Sequence, residues 1–344
     1  MSRLGGIAKG AAYAGGAAGA IGGALFAAEV LAARRIRRRG GPSAAELLSP
    51  IFLPTHTVKS FDGTDINVVD IGKGIPLVFI HGVTLSTRTW VRQYEALPDL
   101  GYRVIAIDQR GHGVSTVGEY GHGVEHLGDD VAAVIETLDL QDAILVGHSM
   151  GGIAVQSFAI RHPELASERI KGFILLSTLC KTPGGSHASQ TRSIIDRVIR
   201  KAPDTTRLWE AKNVGFLLAR AGFGREPYPS EIELVRQMLS ECPRETRIES
   251  PRALIGMDLT ELIKEIDHPT LVISGTADLL TPPFHAKQLH EAIEGSRLEI
   301  VEGAGHMLML ERAEWLHDTI DAFARDVSGL APRPALGAVM EGSK

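Results

Sequence analysis

Hydrophobic and polar residues follow two different periods along residues 55–327. They alternate over 55–61 and 65–71, on either side of Asp62-Gly63, which predicts a β-hairpin. Short apolar runs predict six further strands, at 76–80, 103–108, 143–146, 172–177, 270–275 and 297–301. Apolar residues three to four positions apart predict helices at 88–97, 124–138, 150–161, 284–293 and 313–327. Strands separated by helices pair in parallel through right-handed crossovers, so the pattern predicts an α/β fold with a mostly parallel, twisted sheet of about eight strands and helices on both faces.

One long interval, residues 181–262, shows no strand pattern. Its apolar residues have helical spacing, as in the group Ile194, Ile195, Val198 and Ile199. We interpret the interval as a helical cap inserted into an α/β core formed by residues 50–180 and 263–327. Extra packing helices without a cap function are the alternative interpretation. Residues 328–344 have the composition of a disordered tail.

Residues 1–40 differ in composition from the rest of the chain. Residues 11–33 are almost all small or apolar, and as a helix they would be about 35 Å long, enough to cross a bilayer. The arginine cluster at 34–39 follows directly and opposes export as a signal peptide. We therefore expect membrane association through residues 11–39, with the protein at the cytoplasmic face of a membrane, held by a single N-terminal anchor. A surface-lying or flexible basic tail on a cytoplasmic protein is the open alternative.

The charge of the chain is unevenly distributed. The net charge is −5, and residues 1–40 carry +6, so the remaining residues carry −11. An acidic body argues against nucleic acid as a partner. Cys180 and Cys242 do not form a disulfide framework, no Cys/His cluster has zinc-site spacing, and no nucleotide-binding glycine motif is present. We expect no metal and no cofactor.

The sequence from Gly147 to Gly151 has the pattern G-x-S-x-G, with Ser149 at its centre. An apolar strand precedes it and a helical pattern follows. A serine in so tight a turn adopts strained backbone angles, and small neighbours let the chain pass without collision. The pattern predicts a hydroxyl at the edge of the sheet, beside the first amides of a helix. A glycine- and serine-containing loop that merely opens a helix is the alternative interpretation of these five residues.

Chemically active side chains follow two later predicted strands. Asp278 comes shortly after strand 270–275, and His306 comes shortly after strand 297–301. Ligands of open parallel sheets bind at the carboxyl ends of the strands. We therefore expect Ser149, Asp278 and His306 to meet at one edge of the sheet. Asp278 as a turn residue beside Pro282, and His306 as an ordinary loop histidine, are the alternatives.

Five motifs in this order resemble those of the α/β-hydrolase fold superfamily, and in particular its cap-bearing esterase, lipase and cofactor-free haloperoxidase branch. They span about 275 residues and are H-G at 81–82, D-x-R-G-x-G-x-S at 108–115, G-H-S-M-G-G at 147–152, G-x-x-D-x-x-x-P at 275–282 and G-x-G-H at 303–306.

The resemblance implies a role for each matching residue. Ser149 is expected to be the nucleophile, His306 its general base and then acid, and Asp278 the residue that orients the imidazole. The backbone amides of Val83 and Met150 are expected to form the oxyanion hole. His148, His81, Asp108 and Arg110 are expected to have structural roles, Asp108 and Arg110 by pairing with the backbone or with each other. Candidates for lining the substrate pocket are Trp90, Leu179, Phe216 and Met307.

These roles predict a serine hydrolase. We expect a carboxylesterase or lipase-type enzyme that cleaves small-molecule esters with an apolar acyl group through an acyl-enzyme intermediate. Perhydrolysis, as in cofactor-free haloperoxidases, and C–C bond hydrolysis by the same triad are alternatives. A binding protein that keeps the hydrolase fold without turnover is the non-enzymatic alternative.

Overall fold

A computed structural model describes residues 30–41, 47–48, 53–182 and 206–333 of the chain. Its centre is one eight-stranded sheet with the order β1-β2-β4-β3-β5-β6-β7-β8. The strands are β1 (Thr55–Lys59), β2 (Asp65–Gly72), β3 (Ile75–Ile80), β4 (Tyr102–Ile107), β5 (Ala143–His148), β6 (Ile170–Leu176), β7 (Thr270–Gly275) and β8 (Arg297–Val301). The pairs β1–β2 and β2–β4 are antiparallel, and all others are parallel. The predicted fold class is confirmed.

Helices connect the strands and cover both faces of the sheet. The described helices are α1 (residues 30–37), α2 (Val91–Ala96), α3 (Val124–Thr137), α4 (Met150–Arg161), α5 (Pro163–Arg169), α6 (Thr206–Glu210), α7 (Val214–Arg220), α8 (Pro229–Glu241), α9 (Arg244–Ala253), α10 (Pro283–Ala292), α11 (Leu308–Glu311) and α12 (Ala313–Val327). Short 3₁₀ helices lie at Thr87–Trp90 and Leu262–Glu265.

The period of two along each strand divides the core into two layers. Leu77 and Phe79 of β3 point to the layer that contains the buried face of α12, including Phe323. Val78 and Ile80 of the same strand point to the opposite layer, which is covered by α3, α4 and α10. Both faces of the central strands are therefore buried, which explains why their sequences are continuous apolar runs.

The interval predicted to be the cap lies between β6 and β7, and helices α6, α7, α8 and α9 fall within its described residues. Residues 183–205, which include the predicted helix around Ile194–Ile199, lie outside the described residues. The exact division into core, cap and tail stays a prediction.

Helix α1 packs against the cap. Ala33 is fully buried, and the Arg37 guanidinium donates to Asn213 Oδ1 at 2.7 Å and lies 4.3 Å from the centre of the Phe216 ring. Most of the predicted membrane segment, residues 11–29, lies outside the described residues. Within the part of the chain that the structure does describe, no helix is long and apolar enough to span a bilayer.

Candidate active site

Ser149 occupies a strained turn between β5 and α4. Its φ of 52° and ψ of −116° lie in a region that L-residues rarely adopt. The turn is held by hydrogen bonds: Ser149 N donates to Leu176 O at 3.0 Å, and Ser149 O accepts from Gly152 N at 2.9 Å and from the Thr178 hydroxyl at 2.7 Å. A side chain at Gly147 would collide with the backbone of Gly151 and Gly152. The glycine predicted at position 147 therefore allows the end of β5 to pack closely against the backbone of the first turn of α4.

Asp278 and His306 form a buried hydrogen-bonded pair beyond β7 and β8. His306 Nδ1 lies 2.9 Å from Asp278 Oδ2, and the other carboxylate oxygen accepts from the amides of Leu280 and Thr281, both at 2.9 Å. Burial alone would raise the pKa of Asp278, but the bonds from His306 and Thr281 lower it below its ordinary value. The aspartate is thus ionised at neutral pH and accepts the Nδ1 proton, so Nε2 is the ring atom of His306 that can take a proton from a nucleophile.

His306 lies beside the turn that carries Ser149. The ring centroids of His306 and His148 are 4.7 Å apart, and His148 Nε2 lies 2.9 Å from the His306 carbonyl oxygen. Among the described residues no hydrogen bond joins the Ser149 hydroxyl to His306. Catalytic hydrogen bonds of this kind often tighten only when substrate binds. The structure thus brings the three predicted residues to the same edge of the sheet.

Two backbone amides at this edge have no hydrogen-bond acceptor among the described residues. Val83 lies in the turn after β3, and Met150 is the first residue of α4. Within the described ranges neither amide donates a hydrogen bond to the protein. The loop of Val83 packs directly against the Ser149 turn, because a side chain at Gly82 would approach Ser149 Cβ to 3.1 Å. Two free amides beside a serine hydroxyl are the arrangement that stabilises a developing oxyanion.

The loop after β4 braces the Val83 loop rather than the reacting groups. Asp108 accepts from Thr87 N at 2.7 Å, and His81 Nε2 accepts from Gln109 N at 3.0 Å. Burial lowers the pKa of His81 to about 4, so this histidine is a neutral structural acceptor at physiological pH. Arg110 pairs with the carboxylates of Asp130 and Asp62, not with Asp108.

The predicted pocket residues are mostly buried. Trp90 is fully buried between Phe79 and His148, Phe216 and Met307 are also buried, and Leu179 is half-buried. Their contact with substrate stays a prediction. A cavity of about 560 Å³ lies elsewhere, between helix α8, β2 and the segment around Thr87, and it touches none of Ser149, Asp278 and His306.

Three residues support the site in ways that sequence reasoning did not find. Thr178 holds the Ser149 carbonyl, and the Thr281 hydroxyl lies 2.8 Å from Asp278 Oδ2 and 3.2 Å from His306 Nδ1. Glu311 accepts hydrogen bonds from two backbone amides near His306. The only signal in the sequence is their closeness to the motifs, because each lies within about five positions of a motif or strand end.

The part of the chain that the structure describes contains no group of three or more His, Cys, Asp or Glu side chains arranged to hold a metal ion. At the Ser149 turn the arrangement offers a serine, an imidazole and a carboxylate. An orienting carboxylate, a base and a serine at a strained turn are suited to acyl transfer.

Comparison with known proteins identifies the protein family to which the chain belongs. The family model described as alpha/beta hydrolase fold matches residues 75–313, more than half of the chain, so the protein belongs to the α/β-hydrolase fold family. The chain is 31% identical to the AB hydrolase superfamily protein YisY of Bacillus subtilis over 274 residues, which cover 78% of this chain and 98% of that protein.

Two further relatives carry names with different activities. The non-heme chloroperoxidase CPO-A1 of Kitasatospora aureofaciens is 31% identical over 253 residues, covering 71% of this chain and 90% of that protein. The structure of the esterase EaEST from Exiguobacterium antarcticum superposes with a TM-score of 0.69 at 27% identity, covering 79% of this chain and all of that chain.

Proposed function

We propose that the protein is a serine hydrolase that cleaves carboxylic esters. Ser149 attacks the ester carbonyl, and His306 takes the hydroxyl proton and returns it to the leaving alcohol. Asp278 holds the imidazole in the tautomer with the proton on Nδ1 and stabilises the imidazolium. The amides of Val83 and Met150 bind the oxyanion. Water then attacks the acyl-enzyme with His306 as base, which releases the acid and restores the Ser149 hydroxyl.

The observation that carries this proposal is the buried Asp278–His306 pair beside the strained Ser149 turn. A histidine bonded to a carboxylate at 2.9 Å is common in structural roles. Here, however, the centre of its ring also lies 4.7 Å from the ring of His148, which directly precedes Ser149 with its φ of 52°. Two amides without acceptors complete the set of groups that acyl transfer needs. The esterase among the structural relatives is consistent with the same chemistry.

An apolar acyl group is the substrate class that we favour. The cap segment nearest the His306 loop contains Phe223, and Phe216 lies on the adjacent helix α7; both are buried. Hydrophobic and aromatic side chains line most small-molecule sites. Activity on p-nitrophenyl esters of graded chain length tests this choice, and a preference for acetate over all longer esters would argue against it.

The proposal predicts loss of ester turnover when the nucleophile is removed. Ser149→Ala should lower kcat by several orders of magnitude while the protein stays folded. Ser167→Ala, at an exposed serine of α5, is the matched control and should retain full activity. Wild-type turnover by Ser149→Ala would exclude the proposed mechanism.

Perhydrolysis is the second candidate, because the non-heme chloroperoxidase CPO-A1 is 31% identical to the chain and the esterase EaEST is 27% identical. In this reaction hydrogen peroxide replaces water as the attacking group, and the acyl-enzyme releases a peracid, which then oxidises halide. Incubation with acetate, hydrogen peroxide and bromide, with bromination of monochlorodimedone as the readout, separates the two. Bromination that depends on Ser149 and exceeds ester hydrolysis would favour the perhydrolase.

A further inference from the structure

A hydrogen-bonded contact joins the cap to the loop that carries His306. The amide of His306 donates to Gly222 O at 2.9 Å, and the amide of Arg225 donates to Gly303 O at 3.0 Å. Segment 222–225 of the cap thus lies alongside segment 303–306 of the core. We call these two segments together the clasp.

The carboxylate of Glu311 bridges the two sides of the clasp. Its Oε2 accepts from Gly224 N, on the cap side, at 2.7 Å. On the core side, Gly305 N donates to both carboxylate oxygens, at 3.0 Å to Oε1 and at 3.2 Å to Oε2. Gly305 immediately precedes His306, so the carboxylate fixes the Ala304–Gly305 peptide unit, next to the one that leads into the histidine. A charged acceptor makes such bonds shorter and stronger than a neutral one.

The two segments of the clasp pack too closely for side chains between them. A Cβ atom at Gly224 would lie 2.6 Å from Gly305 N, and one at Gly305 would lie 2.9 Å from Glu311 Oε1. Both glycine amides therefore face the carboxylate directly. The bridge depends on one side chain that can accept from two donors at once.

Burial and the groups around Glu311 act in opposite directions on its ionisation, and burial outweighs them. Burial raises the pKa of Glu311, while the amides of Gly224 and Gly305 and the nearby Arg312 and Arg220 oppose this rise. Glu231 of the cap also faces this carboxyl. Arg220 strengthens the cap side of the clasp, because its guanidinium donates to Phe223 O at 2.9 Å.

We propose that Glu311 is a positioning residue that orients His306 and couples its orientation to the seating of the cap. This inference rests on the proposed role of His306 as general base. Glu311 does not contact the reacting atoms. It acts by holding Gly305, and the same carboxylate holds Gly224, so displacement of the cap segment withdraws one of the two bonds that fix the histidine loop.

Glu311→Gln tests the inference in the full-length protein, with p-nitrophenyl butyrate as substrate. An amide oxygen in the place of Oε2 keeps the bond from Gly224 N and the longer, 3.2 Å bond from Gly305 N. The amide nitrogen in the place of Oε1 cannot accept, so the 3.0 Å bond from Gly305 N is lost and the hold on the histidine loop is weakened. We expect kcat to fall about 10- to 100-fold with a smaller change in KM. The acidic limb of the kcat/KM pH profile should move, because the environment of the base has changed. Glu314→Gln, an exposed position three residues later, is the charge-matched control and should leave both unchanged.

Glu311→Asp provides the conservative comparison. It keeps two acceptor oxygens and the charge but is one methylene shorter, so we expect kcat between those of the wild type and Glu311→Gln. If Glu311→Gln is unfolded by circular dichroism at the assay temperature, Glu311→Asp carries the test alone. Wild-type kcat and an unmoved pH profile in the folded variant overturn the inference. Ser149→Ala distinguishes this failure from a failure of the proposed function. If Ser149→Ala is inactive, the proposed function stands and only the role of Glu311 is wrong. If Ser149→Ala is active, the proposed function itself is wrong.

Discussion

His148 Nε2 lies 2.9 Å from the carbonyl oxygen of His306, so the residue before Ser149 is bonded to the backbone of the histidine beyond β8. Burial and the neighbouring His306 lower the pKa of His148 well below its ordinary value, so its ring is neutral and Nε2 is the donor. Its Nδ1 has no hydrogen-bond partner among the described residues. One hydrogen bond thus ties the Ser149 turn directly to the His306 loop, across 158 positions of sequence.

Removal of this donor should lower both the stability of the fold and the ester turnover of the site. His148→Phe leaves the buried His306 carbonyl without its partner, which should lower the free energy of unfolding by about 1–3 kcal/mol. Urea denaturation measures this change. His148→Gln offers an amide donor in its place and should recover part of both stability and ester turnover. Equal stability of His148→Phe and the wild type would show that the bond contributes nothing.

Asp278 is expected to act through the imidazole. Asp278→Asn replaces the acceptor for Nδ1–H with a group that can favour the other tautomer, so kcat should fall by about 10³–10⁴. Asp99→Asn, at an exposed aspartate, makes the same chemical change away from the site and should leave kcat unaltered. Stopped-flow measurement of the p-nitrophenol burst locates the loss in the acylation step. A variant with a full-rate burst would exclude Asp278 as the orienting carboxylate.

The length and order of the elements could largely be predicted from the sequence, because buried parallel strands are apolar on both faces. Strands β7 and β8 and helices α4 and α12 begin and end where the pattern predicts. The helix predicted at 88–97 is instead a 3₁₀ turn followed by α2, with the break at the buried Trp90. Helix α5 begins at Pro163, directly after α4, and α11 has a single turn, so neither carries enough apolar repeat to be recognised.

The contacts that support the site could not be predicted in this way. The bonds of Glu311, Thr281 and Thr178 depend on how loops from separate strands fold over one another. The hydrophobic periodicity of the sequence predicts strands and helices, but it does not predict which loop residues contact each other. Asp108 and Arg110 illustrate the same limit: the motif predicts that both brace a loop, but only the folded chain shows that Arg110 selects Asp130 and Asp62 as its partners.

The buried Arg110 ion pairs should contribute far more to stability than surface pairs. Arg110 is fully buried, and its loss in Arg110→Leu leaves the buried Asp130 carboxylate without a cation, at a cost of about 3–5 kcal/mol. Arg161→Leu is the control, because Arg161 is 43% exposed in its pair with Asp129 and should cost at most about 1 kcal/mol. Chemical denaturation of both variants at pH 7 compares them. Equal costs would mean that Arg110 is replaceable in the folded state.

Glu231 should make stability depend on pH. Burial raises the pKa of Glu231 from 4.5 to about 7, while its hydrogen bond from the Tyr228 amide opposes the rise. The folded state therefore holds the proton more tightly. The stability from this proton is fully present below pH 4.5 and is lost as the pH rises through about 7.

Glu231→Gln should remove this dependence, because the amide is neutral at every pH and its oxygen can still accept from Tyr228 N. At pH 8 the variant should be more stable than the wild type by up to about 3 kcal/mol, and the difference should vanish near pH 4.5. Glu226→Gln, at an exposed cap position, should show no such trend. Thermal unfolding at both pH values measures the effect, and a variant that is less stable at pH 8 would contradict this account of Glu231.

Covalent labelling of Ser149 tests the central claim most directly. The full-length protein is incubated with a fluorophosphonate, digested, and analysed by mass spectrometry. The account predicts one phosphonylated serine, in the peptide that contains Ser149. It also predicts that labelling is absent in Ser149→Ala and greatly slowed in His306→Ala, because the imidazole activates the hydroxyl. Labelling at another serine, or no labelling of the folded wild-type protein, would contradict the account.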